Sequence, residues 1–261
     1  MTLTVEHLSF SYRKDKHLLH DISFSVRDGE RVAVLGANGS GKTTLLRCLM
    51  GFIKPVGGRC LLDGKDIRTL APKIFWQSVA YVPQSRGSFA GYTAREMILL
   101  GRTSHIGTFA MPSKNDLAKV EEVSSRLGIT HLLDKNGTEM SGGEWQMVLI
   151  ARALVAEPKL IILDEPESNL DFRNQLIILD TLCALSEDGI GCIFNTHYPD
   201  HALSHADRAL LLAKDAPALF GDADTVVTAQ NIESAFGVRA AVSDIPTANG
   251  VRKTVVPLSV L

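Results

Sequence analysis

Alternating and continuous apolar runs divide the first third of the chain into short strands. "LTVEHLSFSY" and "ISFSV" alternate apolar and polar residues, as half-buried strands do. "RVAVLG" is a short apolar run rich in β-branched residues, which a buried strand requires. "GRCLLDGKDI" is typical of a hairpin with Asp63-Gly64 at its turn, and "VAYVPQ" predicts one more strand. The beginning of the chain therefore predicts a series of short strands separated by turns.

The pattern changes between about residues 86 and 157, where helical spacing dominates. The turn-like "PSKND" precedes "LAKVEEVSSRLG", which has helical spacing and ends at Gly128. "GGEWQMVLIARALVAEP" is also helical and ends before Pro158. We therefore expect a mostly helical insert at about 86–157.

Strands and helices alternate after the insert. "KLIILDEP" predicts a buried strand, "LDFRNQLIILDTLCALSED" a helix, "IGCIFNTH" a strand and "HALSHAD" a helix. This alternation indicates a parallel sheet with right-handed crossovers. The expected organisation is one α/β domain over residues 1–261, ending in a short tail at about 214–261 whose mixed pattern predicts no particular element.

Composition and charge narrow the classes of protein that fit this pattern. Of 261 residues, 45% are hydrophobic and 21% charged, which is ordinary for a globular domain, and the net charge of −2 does not favour nucleic acid binding. The chain has no apolar run of about 18 residues and no basic n-region followed by an apolar h-region. Its four cysteines are scattered, which is typical of free thiols in a reducing cytoplasm. We therefore expect a cytosolic protein.

"GANGSGKT", residues 36–43, matches the phosphate-loop pattern G-x-x-x-x-G-K-[ST] without deviation. Its glycines permit backbone conformations that a side chain would block, and a predicted strand precedes it while a helix follows. Lys42 is expected to reach the β- and γ-phosphates, and the Thr43 hydroxyl to bind Mg²⁺. The simpler alternative is a glycine-rich turn with an incidental lysine.

Two adjacent acids, Asp164 and Glu165, end the apolar run "LIILDEP". In doubly wound sheets, ligands bind beyond the carboxyl ends of the strands. Asp164 is therefore expected to support the Mg²⁺ shell, and Glu165 to orient or deprotonate an attacking water. The alternative is a solvent-facing acidic turn that ends at a proline.

The stretch "MSGGEWQMVLIARAL" resembles the signature L-S-G-G-Q/E plus helix of the nucleotide-binding subunits of ABC transporters. Further family elements follow in the expected order. Tyr12 is similar to the aromatic residue that stacks on adenine, and Gln84 to the glutamine that senses the γ-phosphate. "SNLD" at 168–171 resembles the loop after the catalytic glutamate, and His197 resembles the switch histidine.

The resemblance implies a P-loop NTPase core of ABC type, with a parallel sheet, an N-terminal antiparallel β subdomain and a helical insert that carries the signature. It implies ATP and Mg²⁺ as cofactors. The residues implied to bind ATP are Tyr12, Gly36, Asn38, Gly39, Ser40, Gly41, Lys42, Thr43, Thr44, Gln84, Ser141, Gly142, Gly143 and Asp171. Those implied to hold Mg²⁺ are Thr43, Gln84 and Asp164, and those implied to act in catalysis are Lys42, Glu165 and His197.

The same resemblance implies a head-to-tail homodimer in which each ATP lies between one subunit's phosphate loop and the other's signature. The stretch from Thr93 to Asp116, with "T-x-x-E-x-x-x-L-G-R-x-x-H" followed by "P-S", is similar to importers of iron–siderophore, haem, vitamin B12 or molybdate. We therefore expect two polytopic permease subunits as partners and, indirectly, a substrate-binding protein. We also expect the chain to lie in the cytoplasm on the inner face of the membrane. An exporter or lipid-handling subunit, or a soluble ATPase acting on ribosomes or DNA, remains an alternative.

Three histidines in "NTHYPDHALSHAD" are spaced by four residues, which on one helix would suit a zinc site. Pro199 interrupts this stretch, so His197 is expected at a strand end and outside the helix. His201 and His205 are then expected as surface or core-edge residues. Departures from the family pattern are Trp145 and Met147, where a basic pair is common, and Glu167, an acid expected near Glu165.

Overall fold

The structure is a computed structural model that describes residues 1–13, 18–84, 91–106, 110–214, 216–247 and 250–261. The strands are β1 (Thr2–Phe10), β2 (Leu19–Arg27), β3 (Arg31–Leu35), β4 (Gly57–Leu62), β5 (Lys65–Asp66), β6 (Val79–Val82), β7 (Leu160–Asp164), β8 (Gly191–Thr196), β9 (Arg208–Leu211), β10 (Leu219–Asp222), β11 (Val238–Thr247) and β12 (Gly250–Val260). The α-helices are α1 (Lys42–Leu49), α2 (Pro72–Ser78), α3 (Ala94–Leu99), α4 (Lys114–Arg126), α5 (Gly142–Leu154), α6 (Phe172–Glu187), α7 (Pro199–His205), α8 (Ala223–Val226) and α9 (Ala229–Phe236).

A six-stranded sheet in the order β10-β9-β3-β8-β7-β6 carries the site. The strands β9, β3, β8, β7 and β6 run parallel, and β10 pairs antiparallel at the edge. The register aligns Leu35 with Thr196 and Asp164 with Asn195. The carboxyl ends of β3, β7 and β8 therefore lie side by side, and the predicted parallel sheet is confirmed.

The N-terminal strands form a separate antiparallel sheet in the order β2-β1-β4-β5. The turn between β4 and β5 contains Asp63 and Gly64, both with positive φ (48° and 77°), as a primed hairpin turn requires. Inward residues of this sheet pack with α1 and one face of the parallel sheet in a common hydrophobic core. The predicted antiparallel unit and its hairpin are confirmed.

Helices α3, α4 and α5 occupy the chain between β6 and β7, where helical spacing predicts them. Each begins with a capping box, in which the cap hydroxyl and an acid three residues later satisfy each other's backbone N–H groups. The caps are Thr93, Ser113 and Ser141. These pairs explain locally why the helices begin where they do.

A buried ion pair fixes the connection between α3 and α4. Arg102 Nε donates to Asp116 Oδ1 at 2.9 Å, and Arg102 Nη1 donates to the carbonyl of Val155 at 2.9 Å. Hydrogen bonds from Ser113, together with Arg102, lower the pKa of Asp116 to about 2. Within the described part of the 93–116 stretch, Thr93 and Ser113 thus cap helices, and Arg102 and Asp116 form a structural ion pair.

The tail is ordered around a long hairpin, β11–β12, that follows α8 and α9. Asp200, in the first turn of α7, accepts hydrogen bonds from Thr254 Oγ1 at 2.9 Å and from the backbone N–H of Val255 at 2.6 Å. These contacts attach β12 to α7. The sequence pattern made no prediction for this segment.

Candidate active site

The loop between β3 and α1 requires glycine at two positions because its backbone runs very close to neighbouring atoms. At Gly36 (φ 150°), a Cβ would lie 2.5 Å from the carbonyl oxygen of Leu212 and from Ser40 Oγ. At Gly41 (φ 102°), a Cβ would lie 2.6 Å from a methyl group of Leu19. The loop leads directly into α1, whose first N–H groups have no intrahelical acceptor. The sequence therefore builds an anion-binding turn at a helix N-terminus.

The opposite side of the loop is open. A Cβ at Gly39 would meet no atom within 4 Å, so this position faces free space. Ser40 Oγ is buried and has no hydrogen-bond partner among the described residues. Residues of the loop, α1 and two later segments line a pocket here: Leu18, Asn38, Gly39, Gly41, Lys42, Thr43, Thr44, Glu165 and His197. These features fit a bound phosphate group.

Lys42 is a buried cation at the centre of this pocket. Its Nζ donates to the carbonyl of Gly36 at 2.6 Å and lies 3.2 Å from the carbonyl of Ala37 and 3.2 Å from His197 Nδ1. Burial lowers the pKa of Lys42 from its ordinary value, while the nearby carboxylate of Glu165 opposes that shift. Backbone carbonyls are weaker partners for an ammonium than phosphate oxygens, so the lysine is placed to bind a phosphate.

Asp164 ends β7 and gathers polar groups from three other elements. Asn195 Nδ2 donates to Asp164 Oδ1 at 2.6 Å, and Thr43 Oγ1 donates to the same oxygen at 3.2 Å. Tyr81 OH lies 3.4 Å from Asp164 Oδ2, and burial together with that carboxylate raises the pKa of Tyr81 to about 12. The oxygens of Thr43 and Asp164 are the hard ligands that Mg²⁺ prefers, so this pair fits the ion.

Glu165 turns the chain sharply after β7, with φ 49° in the left-handed region. Its Oε1 lies 2.5 Å from His197 Nε2, and its Oε2 accepts from Gln84 Nε2 at 2.7 Å and from Ser168 Oγ at 3.1 Å. This conformation lets successive residues of a strand end, Asp164 and Glu165, face one site. Residues from three chain segments thus converge here.

Asn195 is a functional candidate that sequence reasoning missed. It is completely buried in β8, and its Oδ1 accepts a hydrogen bond from the backbone N–H of Glu165 while its Nδ2 binds Asp164. A buried amide needs such partners. The signal was present in the sequence as a polar residue directly after the apolar run "IGCIF".

Tyr12 lies beside the end of the loop, on its exposed side. Its OH is 3.2 Å from Thr44 Oγ1, and its ring meets Phe10 edge-on with centroids 4.8 Å apart. The side chain is 63% exposed. An aromatic face held in this position is available for stacking with a planar ring system.

The signature residues lie elsewhere. The hydroxyl of Ser141 caps α5 by accepting from the N–H of Glu144 at 3.3 Å, and a Cβ at Gly143 would lie 2.5 Å from the side chain of Asn174. Asp171 caps α6 by accepting from the N–H of Asn174 at 2.8 Å. Among the described residues that line the phosphate-loop pocket, none belongs to this signature turn or is Asp171. Within one chain, the residues predicted to bind ATP therefore fall into two groups, one around the phosphate loop and one at the signature turn and Asp171.

The three histidines do not form a stripe. His197 precedes α7, which begins at Pro199, as predicted. His201 Nδ1 lies 3.3 Å from Glu167 Oε1, and His205 Nε2 lies 3.7 Å from Asp180 Oδ1. Among the residues the structure describes, no group of three or more His, Cys, Asp or Glu side chains is arranged to hold a metal ion.

Glu167 follows Glu165 by two residues, but the two acids have different partners. Glu165 turns toward His197, whereas the buried side chain of Glu167 packs against His201 on α7. The left-handed turn at Glu165 separates the two acids, because it sends the following residues beneath the site.

In the described parts of the chain, no helix combines the length and the apolar character needed to cross a bilayer.

Comparison with known proteins identifies the family. The ABC transporter family model matches residues 19–168. The molybdate import ATP-binding protein MolC of Haemophilus influenzae is 37% identical over 235 residues, which is 90% of this chain and 87% of MolC. The "Probable iron chelatin transport ATP-binding protein" of Helicobacter pylori is 33% identical over 238 residues, covering 90% of this chain and 93% of that protein.

A solved structure extends this similarity to the whole fold. An inward-facing ABC transporter assigned to the metal-chelate type superposes with a TM-score of 0.88 and 34% identity, covering 98% of this chain and 97% of that one. This similarity confirms the predicted fold class. The chain therefore belongs to the ABC transporter family, as an ATP-binding subunit that hydrolyses ATP in support of transport.

Proposed function

We propose that the chain is the ATPase subunit of an importer, and that it hydrolyses ATP at the pocket formed by the phosphate loop, Asp164, Glu165 and His197. The observation that carries this proposal is that His197 lies within hydrogen-bonding distance of both Lys42 and Glu165. A cation, a carboxylate and an imidazole at one helix N-terminus provide phosphate binding and proton transfer together.

In this proposal the loop residues hold the phosphates of ATP, and Tyr12 stacks on the adenine. Thr43, Asp164 and Gln84 hold Mg²⁺, which when bound neutralises charge on the phosphate oxygens. Gln84 Nε2 donates to Glu165 Oε2, and the Oε1 atom of the same amide is the one that would bind the metal.

Glu165 is proposed to accept a proton from the attacking water as the water oxygen bonds to the γ-phosphorus. The bond from that phosphorus to the ADP oxygen then breaks, and ADP leaves as an anion. His197 Nε2 lies 2.5 Å from Glu165 Oε1, so the imidazole can hold the carboxylate and contact the transferring group. Lys42 compensates the charge that develops on the phosphate oxygens.

The separation of the signature from this pocket supports a head-to-tail homodimer. Ser141 and Gly142 are exposed at the N-terminus of α5, where a helix end and a hydroxyl can bind an anion. We propose that this turn completes the pocket of a second copy, so that two ATP molecules lie between the subunits and Asp171 communicates across the interface.

The proposed membrane partners are two polytopic permease subunits, served indirectly by a substrate-binding protein. A groove between α2, β6 and α5 is open at the surface and is lined by residues that include Trp76, Tyr81, Leu100, Thr103 and Arg152. It would receive a helix of the permease, which would place the chain in the cytoplasm on the inner face of the membrane. The resemblance implies that residues from about 85 to 110 contribute to the groove that receives this helix, and of these 85–90 and 107–109 lie outside the described residues.

The proposed cargo is a metal-chelate compound of the iron–siderophore, haem, cobalamin or molybdate class. It rests on the 93–116 stretch and on the names of the relatives. The alternative is an exporter or lipid-handling subunit, or a soluble non-transport ATPase.

Affinity purification of the tagged chain from its native membrane tests this proposal. A polytopic permease should co-purify, and ATP hydrolysis by the complex in vesicles should rise when substrate-binding protein loaded with cargo is added. Recovery of an active ATPase without any membrane protein would favour the soluble alternative.

A further inference from the structure

Glu167 is a carboxylate in an unusual setting. It lies two residues beyond Glu165, and its side chain is completely buried. Its Oε1 lies 3.3 Å from His201 Nδ1 on α7, whereas its Oε2 has no hydrogen-bond partner among the described residues. The acid lines no part of the phosphate-loop pocket among the described residues. It therefore does not contact the nucleotide, and a separate reason for its burial is needed.

The Glu167–His201 contact runs beside the Glu165–His197 contact. Both join the turn that follows β7 to the segment that follows β8, and both pair a glutamate with a histidine. Glu165 and His197 line the pocket, whereas Glu167 and His201 are not among the described residues that line it. The same two chain segments are thus connected twice. The two glutamates are two residues apart in the first segment, and the two histidines are four residues apart in the second.

The buried pair resists relative movement of these segments. A buried carboxylate is unfavourable unless it is paired or hydrogen-bonded. Oε2 of Glu167 has no hydrogen-bond partner among the described residues, so the contact of Oε1 with His201 is what offsets the cost of burying this side chain. If α7 moves away from the turn, this compensation is lost. The position of α7 is therefore energetically coupled to that of the turn.

We propose that Glu167 and His201 are positioning residues that hold the turn and α7 at the spacing at which His197 engages Glu165. This inference rests on the proposed roles of Glu165 and His197 in hydrolysis. His197 is the second residue before Pro199, where α7 begins, so a shift of α7 carries His197 with it. Loss of the buried contact should therefore slow the hydrolytic step while leaving nucleotide binding intact.

The experiment uses the purified full-length chain and measures ATP hydrolysis, affinity for a fluorescent ATP analogue and the thermal unfolding temperature. Glu167→Leu and His201→Leu each remove the contact, and their double variant removes both partners. Each single change should lower kcat by roughly tenfold with analogue affinity within about twofold of wild type, and the double variant should lie no lower than the worse single variant. His201→Asn serves as a second test if Glu167→Leu does not fold.

Two further variants separate positioning from general destabilisation. Glu167→Gln keeps an oxygen that can accept from the imidazole, so it should retain most of the kcat. His205→Gln alters a buried histidine on the same helix that contacts Asp180, so it should leave kcat unchanged whatever it does to the unfolding temperature. An unchanged kcat in both leucine variants, or an equal loss of kcat in His205→Gln, overturns the positioning role.

The proposed function is checked in the same assay by Glu165→Gln. If that variant hydrolyses ATP at the wild-type rate, the assigned site is wrong and the positioning role falls with it. If Glu165→Gln is inactive while Glu167→Leu and His201→Leu keep full kcat, the site stands and the positioning role alone is refuted.

Discussion

The imidazole of His197 lies between two charged side chains, with Nε2 at 2.5 Å from Glu165 Oε1 and Nδ1 at 3.2 Å from Lys42 Nζ. Because the lysine ammonium only donates hydrogen bonds, Nδ1 has to accept and Nε2 has to carry the proton that Glu165 receives as a hydrogen bond. A neutral imidazole of this tautomer satisfies both neighbours. It also offers an N–H group beside the proposed base.

Glu165→Gln should abolish turnover while preserving nucleotide binding. Glutamine has nearly the same shape and still bonds His197 and Ser168, but it cannot accept a proton from water. Loss of a general base typically lowers a rate by about 10²–10⁴-fold. We expect hydrolysis to fall by that order in a phosphate-release assay, and ATP to trap a dimer visible by size-exclusion chromatography.

The matched control is Glu167→Gln, the same substitution two residues along the chain. It should neither trap the dimer nor remove activity, because Glu167 lies outside the pocket and glutamine keeps an oxygen that can accept from His201. Trapping by both variants would show that the effect comes from the turn as a whole and not from the base.

His197→Ala should slow hydrolysis and leave ATP bound. The change removes the contact that orients Glu165, whereas the phosphate loop and Thr43 are untouched. A preorganised donor of this kind is worth roughly 10²–10³ in rate. Single-turnover kinetics with saturating ATP would measure it, and a loss confined to KM would contradict the assignment.

Much of this site follows from local sequence, but its connections do not. The phosphate loop, the acids after "LIIL" and the histidine after "IFNT" each stand at the end of a predicted strand, and a parallel sheet brings such ends together. Asn195 escaped prediction because its role depends on the register that places it opposite Asp164. The contact between Glu167 and His201 could not be predicted, because the left-handed backbone at Glu165 cannot be read from residue types alone.

The limits of the fold prediction have the same origin. Alternating strands and capped helices are encoded within a few residues, so β1, β2, α4 and α6 could be expected with little ambiguity. The attachment of β12 to α7 through Asp200 joins residues 54 and 55 positions apart. Neither segment has a local sequence pattern that predicts this contact.

Lys42→Ala should weaken ATP binding more than it affects the fold. The substitution removes a charge-assisted contact to phosphate, worth about 1.5–3 kcal/mol, which corresponds to a rise in Kd of roughly 10- to 150-fold. Isothermal titration with a non-hydrolysable ATP analogue measures the change. Lys54→Ala, a change of the same type outside this pocket, is the control and should bind as wild type does.

Asn195→Ala should impair both stability and hydrolysis. The amide bonds the side chain of Asp164 and the backbone N–H of Glu165, and leaving a buried partner unsatisfied costs about 1–3 kcal/mol. Chemical unfolding should show a loss of that order, and kcat should fall because the two carboxylates lose their relative positions. Asn195→Asp is the sharper test, since it keeps the volume but places a second carboxylate against Asp164. Wild-type kcat in Asn195→Asp would exclude the positioning role.

His205 should make the protein less stable at mildly acidic pH. Burial lowers the pKa of His205 from its ordinary value of 6.5, although Asp180 partly opposes the shift. The unfolded chain therefore binds a proton before the folded chain does as the pH falls. The contribution to stability is fully present above 6.5 and is lost as the pH falls toward the lower pKa of the folded state, with a slope of at most about 1.4 kcal/mol per pH unit. His205→Gln should flatten the dependence of unfolding free energy on pH between about 7.5 and 5, measured by urea denaturation. An unchanged slope would mean that other groups control acid stability.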